Sequence, residues 1–383
     1  MKKAIIVGGG TGGHIIPAIV VALELEKKGY ILKWIGSIKS KELEEKIIHN
    51  YFPKIKIYHI PSGKLRRKKN VFLTILNIKN ILDIFQILFG TIFSIFILIK
   101  DKPNFVFSKG GFVSVPVAFA CKILKIRFYT HESDYTIGLA NKINLYFSRK
   151  FFYSFKDTIK MLPQNKAVFS SNPVRSEFFE NNFENNSDTE KIIIDDEIKS
   201  FIEKKEDRFP LILILGGSLG SLKINEMILK ILPQLCNEYY IIHQTGENKK
   251  IEFINPKYLQ VSFISKGVAY CMKLSNLIIS RSGANLVFEI VATGKPAIFI
   301  PLKSASRGEQ INNANYFALK SPLYSILDED EINPEILLNE IKKLTARSDF
   351  DSYDKEKKAE FDEIKLRAEK IIVDTIEEDL SIK

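Results

Sequence analysis

Cysteine is scarce in this sequence. Cys121, Cys236 and Cys271 are odd in number, far apart and without a CxxC pairing, which excludes a disulfide framework and gives no sign of a zinc site. They read as buried free thiols. Also missing is an N-terminal apolar run of signal-peptide length, because Met1-Lys2-Lys3 leads straight into Ala4-Ile5-Ile6-Val7 and a glycine cluster. A reducing, cytoplasmic compartment is therefore expected. No run of bilayer length is found in the most apolar region either. Ile84–Ile99 holds 16 residues without a charge, short of the ~20 that a span requires, and Asp83 stops its extension.

What is present belongs to a folded globular protein: 45% hydrophobic and 26% charged residues. At 383 residues the chain exceeds one ordinary core and suits two domains. The boundaries expected are 1–172, 173–354 and a C-terminal helical segment 355–383 that packs back across the junction. The net charge of +11 is unevenly spread. Residues 1–172 hold 28 Lys+Arg against 10 Asp+Glu, whereas residues 173–383 hold 28 against 35. A basic half can meet nucleic acid, anionic lipid or a phosphorylated substrate. Five of the six residues Lys64–Lys69 are cationic and adjoin the apolar segment 71–99, a pairing that suits an anionic membrane surface. A buried crossover helix behind a solvated loop is the plainer alternative. Nucleic acid is not expected, since no stacking platform or recognised module accompanies the charge.

The chain alternates short β-branched runs with helical periods. Strands are predicted at Ala4–Val7, Ile31–Ile35, Ile55–Ile60, Phe105–Phe107, Phe128–Thr130 and Phe151–Tyr153, with helices at Pro17–Lys28, Leu43–His49, Ser114–Leu124 and Leu139–Phe147. After a polar stretch at 181–207 the rhythm resumes, with strands at Leu211–Leu215, Tyr240–Gln244, Val261–Phe263, Leu277–Ile279 and Ala297–Ile300. The fold class is α/β, two doubly wound domains in tandem. Ligands belong beyond the carboxyl ends of such strands, where the glycine-rich loops fall.

Four loops follow strands in this way: Gly8–His14, Lys109–Val113, Gly216–Ser221 and Arg281–Ala284. Glycine turns of this kind bring backbone N–H groups and a helix N-terminus close to an anion or a sugar. Gly8, Gly10 and Gly13 match the dinucleotide fingerprint, but Trp34-Ile35-Gly36-Ser37 supplies no acid for a ribose after the second strand, which argues against a nicotinamide or flavin cofactor.

On Gly9–His14, Gly110–Pro116, His131-Glu132, Asn172–Arg175, Gly216–Gly220, Arg281–Glu289, Gly294–Pro301 and Gln310–Ala314, the sequence resembles the MurG family of bacterial glycosyltransferases across nearly its whole length. The resemblance implies a GT-B fold with two Rossmann-like domains facing a cleft. It implies transfer of N-acetylglucosamine (GlcNAc) from UDP-GlcNAc to the C4 hydroxyl of the N-acetylmuramyl sugar of lipid I, with inversion, at the cytoplasmic face of the plasma membrane. No cofactor or metal is implied. Carried over, Thr11, Gly12 and Gly13 contact donor sugar or acceptor pyrophosphate; Arg175 and Ser218 bind the donor diphosphate; the backbone at Ile264 reads uracil. Ala284 is a substrate-binding residue, Glu289 accepts from the ribose hydroxyls, and Gln310 holds the GlcNAc ring. Ser133 and Asp134 replace the Gln-Asn usual after His-Glu, so Asp134 puts a carboxylate where an amide would touch sugar. Leu219 and Gly308 also depart from the pattern.

The attacking hydroxyl needs a base. His14 is assigned to it, as a near-neutral group closing a glycine loop, with Glu132 and Asp134 as rivals. Asp195–Glu197 and Asp328–Asp330 have the look of metal-binding acidic clusters but are read as solvated surface. A glycolipid synthase of the diacylglycerol type and a membrane-bound scaffold that has lost activity are the competing readings.

Overall fold

The computed structural model describes residues 1–10, 12–64, 78–179, 194–217, 220–247, 249–303, 308–346 and 366–382. Thr11, Ser218 and the basic run beyond Lys64 lie outside the described residues. The chain forms two compact units, Met1–Val174 with Leu366–Lys383, and Arg175–Lys365.

The first unit is built on a seven-stranded sheet: β1 (Lys3–Val7), β2 (Ile31–Ser37), β3 (Lys56–Ile60), β4 (Phe105–Ser108), β5 (Arg127–Glu132), β6 (Lys150–Tyr153) and β7 (Ala167–Phe169). All strands pair in parallel, in the order β3-β2-β1-β4-β5-β6-β7. Its helices are α1 (Gly12–Lys27), α2 (Lys41–Tyr51), α3 (Ile78–Asp101), α4 (Ser114–Leu124), α5 (Leu139–Phe147) and the C-terminal α12 (Ala368–Ser381). Strand order reverses between β1 and β4, so the loops after them, Gly8–Gly13 and Lys109–Val113, open at one switch point. Val7 faces Ser108 in the register there.

α1 begins at Gly12, five residues ahead of the expected Pro17, which lies inside it. Pro marks a helix start because its missing N–H is harmless there, and the two glycines before it concealed an earlier beginning. α12 packs on α1: Ile372, Val373 and Ile376 share a core with Ile15, Ile19, Ala22 and Leu25, and Lys2 and Lys28 reach Glu377 and Asp374 at 2.7 and 3.0 Å. α3 presents Gly90, Ser94 and Leu98 to the protein and leaves Leu82, Phe85, Phe89, Phe93 and Phe96 exposed. Gly90 is required where it sits, since a Cβ would overlap the Pro61 carbonyl and crowd Pro116. By length and composition Leu82–Asp101 could cross a membrane, but its inner face is fitted to α4.

The second unit repeats the plan with β8 (Leu211–Leu215), β9 (Tyr240–Gln244), β10 (Tyr258–Val261), β11 (Leu277–Ser280), β12 (Ala297–Phe299) and β13 (Tyr324–Ile326). Again all are parallel, in the order β10-β9-β8-β11-β12-β13. The helices used below are α6 (Asp196–Glu203), α7 (Leu222–Glu238), α8 (Val268–Leu274), α9 (Ala284–Thr293), α10 (Glu309–Ala318) and α11 (Pro334–Thr345). The switch point falls between β8 and β11, where Leu215 faces Ser280. One expected strand is displaced: β10 occupies Tyr258–Val261 rather than Val261–Phe263. The polar Gln260 hid it, yet that side chain bonds both the N–H and the carbonyl of Ile251 at 2.8 Å, completing the backbone partners of the connection beside an edge strand. Phe263, by contrast, is exposed.

Candidate active site

In the first unit the glycine loop after β1 is held from behind by a carboxylate. Gly10 adopts φ +93°, turning its N–H toward Glu44 Oε1 (3.0 Å) and Ser40 Oγ (3.1 Å). Glu44, fully buried on α2, also accepts from the Ser37 N–H at 3.0 Å and the Ser40 hydroxyl at 2.5 Å. Gly9 and Gly36 flank it, and a Cβ on either would overlap the carboxylate. Burial pushes the Glu44 carboxyl upward, and these hydrogen bonds pull it back. Trp34 anchors the same loop by donating from Nε1 to the Gly8 carbonyl at 2.7 Å.

His14 lies in the first turn of α1, with Gly12 and Gly13 ahead of it. Its ring rests on the backbone of Gly111, where a Cβ would come within 3.3 Å of Cδ2 and 3.5 Å of Nε2. Gly110 and Gly111 both take positive φ, +88° and +76°, conformations that cost glycine little. Burial and the nearby Lys109 ammonium lower the His14 pKa, and Asp134 acts against them. The ring is therefore held neutral around pH 7, with one nitrogen able to accept a proton.

Glu132 is buried and takes three donors from its own turn: the N–H groups of Asp134 (3.1 Å) and Gly138 (2.9 Å), and Asn141 Nδ2 (3.1 Å). Burial, reinforced by Asp134, pushes it up to about 7. Beside it Lys109, 2% exposed, is pushed down to about 7 by burial. This lysine was overlooked in the sequence because only the glycines after it carried a signal.

In the second unit Arg175 and Glu289 meet. The guanidinium Nη2 lies 3.0 Å from Glu289 Oε1, Nη1 lies 3.1 Å from Glu177 Oε1, and the guanidinium carbon sits 4.9 Å from the Phe178 ring centroid. Glu289, in the second turn of α9, is raised chiefly by burial and lowered by Arg175. Ala284 opens the same helix after the N-cap Gly283, so α9 carries both residues toward the switch point. Gly217 (φ +84°) and Gly220 (φ +67°) shape the neighbouring loop, and at Gly220 a Cβ would overlap the Thr245 carbonyl.

Two amides tie these loops together. Gln244 donates from Nε2 to the Gly217 carbonyl at 3.0 Å and accepts from the Ile264 N–H at 3.1 Å. Gln310 accepts through Oε1 from the N–H groups of Leu302 (2.9 Å) and Ser282 (3.4 Å), which fixes the orientation of its amide. Its contribution to a ligand is thereby its NH₂ group.

The acidic clusters are not wholly solvated. Glu329 is buried and bonds Arg281 at 2.6 Å, while Asp195 holds the Ser265 N–H and hydroxyl at 2.8 and 2.5 Å. Arg281 further donates to the Ile300 carbonyl and to Ser221 Oγ, joining β12 to the start of α7. Polar flanks suggested surface; their partners lie 48 and 70 positions away. Among the described residues no group of three or more His, Cys, Asp and Glu is placed to hold a metal ion.

Residues 4–153 match the glycosyltransferase family 28 N-terminal domain, and residues 211–372 match the glycosyltransferase family 28 C-terminal domain. A UDP-N-acetylglucosamine–N-acetylmuramyl-(pentapeptide) pyrophosphoryl-undecaprenol N-acetylglucosamine transferase of Clostridium kluyveri is 39% identical over 347 residues, covering 90% of this chain and 91% of its own. The protein of the same name in Treponema denticola is 37% identical over 367 residues, covering 90% and 88%. Among solved structures, Acinetobacter baumannii MurG superposes with a TM-score of 0.68 at 24% identity, over 99% of this chain and 100% of that one. The UDP-GlcNAc 2-epimerase of Neisseria meningitidis, bound to UDP-GlcNAc, reaches 0.65 at 14% identity, over 98% and 100%.

Proposed function

The chain belongs to the MurG family of glycosyltransferases, and from that premise we propose that it transfers GlcNAc from UDP-GlcNAc to the C4 hydroxyl of the N-acetylmuramyl sugar of lipid I, giving lipid II. The second unit binds the donor. Arg175 offers a permanently charged fork to the diphosphate, and Glu289 accepts from the two ribose hydroxyls, one on each oxygen. The Ile264 carbonyl serves the uracil edge, since the N–H of that residue is taken by Gln244. The Gln310 NH₂ and the first turn of α9 at Ala284 hold the sugar, with Ser218 on the diphosphate.

The first unit binds the acceptor pyrophosphate at Gly12, Gly13 and Thr11. His14 takes the proton from the attacking hydroxyl through the unprotonated nitrogen of its neutral ring. Departure of UDP places negative charge on the β-phosphate, and the Arg175 guanidinium and loop N–H groups offset it. The apolar face of α3, with Lys64 and the cations after it, rests on the anionic cytoplasmic leaflet, where a lipid-linked acceptor is reached without leaving the bilayer.

The observation that carries this reading is the 3.0 Å pairing of Arg175 with Glu289 on α9, the helix that follows β11 at the switch point: a cation for phosphate and a carboxylate for a diol, held together on an element where α/β sheets bind ligands. The test is incubation of the purified protein with UDP-GlcNAc and a short-chain lipid I analogue, followed by mass spectrometry. A β-1,4-linked disaccharide product is expected; release of UDP without it, or transfer to diacylglycerol instead, refutes the assignment.

A further inference from the structure

One buried charge in the first unit has no part in the reaction just described. The Lys109 side chain ends between His131 and Ser133, with the Glu132 and Asp134 carboxyls as the nearby opposite charges. Its Nζ donates to His131 Nδ1 at 2.5 Å and to Ser133 Oγ. His131 Nε2 lies 3.0 Å from the Ser171 carbonyl, so Nε2 carries the ring proton and Nδ1 presents the lone pair that Lys109 needs. Ser133 passes its own proton to Asn172 Oδ1 at 2.7 Å, and Ser154 bonds the same oxygen at 3.3 Å. Burying an ammonium is costly unless it is hydrogen-bonded, and His131 and Ser133 supply two of its acceptors.

The main chain of the same residue faces His14. Its N–H donates to the Val7 carbonyl at 3.0 Å, which fixes the β4 loop against the end of β1, and two residues further on the backbone of Gly111 lies against the His14 ring. One residue thus joins the ring at the start of α1 to the turn His131–Asp134 after β5. Resting on the proposed transfer reaction, we infer that Lys109 is a positioning residue for its acceptor half: it seats the His14 ring through the loop it anchors and clamps the turn bearing Asp134 through its ammonium, so that base and carboxylate face the acceptor sugar as one body. The charges acting on His14 are Lys109 from the β4 loop and Asp134 from the β5 loop, with opposite signs; Glu44 on α2 is engaged with Gly10 rather than with the ring. Glu132, between them, is tied down by its own turn and by Asn141 of α5.

The test is Lys109→Met in the full chain, which keeps length and packing but removes the ammonium. With ¹⁵N-labelled histidine, the His14 signals, identified by their loss in His14→Gln, are followed against pH. The His14 midpoint is expected to rise by about one unit, because a cation is removed while Asp134 stays. In parallel the acid limb of kcat/KM for the lipid I analogue moves to higher pH, and kcat falls about tenfold or more with the KM for UDP-GlcNAc unchanged. A His14 midpoint and an acceptor pH profile that superimpose on those of the parent overturn the inference. Ser133→Ala supplies a second arm should Lys109→Met not fold. It keeps the charge and cuts one tether, so acceptor kinetics worsen while donor KM holds, and unaltered acceptor kinetics count against the clamp. If the parent makes no disaccharide, the functional reading fails, whereas the His14 titration still decides whether Lys109 controls the ring.

Discussion

Arg175 Nη2 and Glu289 Oε1 stand 3.0 Å apart on a loop and a helix of the second unit, and the guanidinium, which also pairs with Glu177, keeps Glu289 from being a lone, partly buried charge. That relationship makes the two residues interdependent. Arg175→Ala removes a charge-assisted donor from the diphosphate and leaves the Glu289 carboxylate buried and unpaired, where it also repels the ligand. UDP affinity measured by calorimetry is expected to fall about 10- to 100-fold, or about 1.4–2.8 kcal/mol. Arg175→Lys keeps the charge without the fork and falls between the two. An unaltered dissociation constant in Arg175→Ala takes this residue out of the donor site.

Trp34 is the single tryptophan of the sequence and its indole N–H holds the Gly8 carbonyl, so its emission reports the first glycine loop. Titration with a lipid I analogue is expected to shift the emission, and titration with UDP alone to leave it unchanged. Glu44→Ala leaves the buried Ser37 N–H without its partner, at a cost of about 1–3 kcal/mol, and leaves the Gly10 N–H to Ser40 Oγ alone. The response to the acceptor analogue should weaken severalfold, with UDP affinity intact. A Trp34 signal that follows UDP and ignores the acceptor analogue would reverse the division of substrates between the units.

The doubly wound architecture was readable because β-branched runs such as Leu211–Leu215 alternate with amphipathic stretches such as Ser114–Leu124, and those two spans match their elements in the structure. Glycine loops were readable for the same local reason. The side chains that shape them were not. Glu44 reaches Gly10 across 34 positions and Gln310 reaches Ser282 across 28, and nothing in the spacing of a single chain announces such pairs. Lys109 was masked differently: a lysine beside two glycines reads as a solvated loop, and only its contacts with His131 and Ser133 reveal that it is buried. The short edge strand Tyr324–Ile326 escaped because three residues give too little periodicity.

His243 gives a pH dependence with a definite sign. Burial on β9 lowers its pKa from 6.5 to about 3, with Nδ1 3.1 Å from the Tyr258 hydroxyl. A depressed folded-state pKa means that the unfolded chain takes up the proton first. The stability linked to this residue is complete above about pH 6.5 and is lost as pH falls toward 3, on the order of 4 kcal/mol across the window. Urea unfolding followed by circular dichroism at pH 7.5, 5.5 and 4.5 should show that decline. His243→Asn, which cannot charge, should reduce the slope; an equal slope in both proteins places the acid sensitivity elsewhere.

The last prediction concerns α3. Phe85, Phe89, Phe93 and Phe96 are 53–68% exposed, whereas Gly90, Ser94 and Leu98 on the other side are buried, so the aromatic stripe can be altered without touching the core. Fully burying a phenylalanine side chain is worth about 1.5–3 kcal/mol. Even partial insertion of three rings then outweighs the pull of a few lysines across a screened surface, about 1 kcal/mol each. The triple change Phe89→Ser, Phe93→Ser, Phe96→Ser should lower binding to phosphatidylglycerol vesicles tenfold or more in a sedimentation assay. Thermal stability and transfer to a short-chain lipid I analogue should hold. Added salt should weaken binding of the parent to anionic vesicles but leave its weaker binding to neutral ones unchanged, because only the cationic share is screened. Undiminished vesicle binding by the triple variant would assign membrane attachment to another surface.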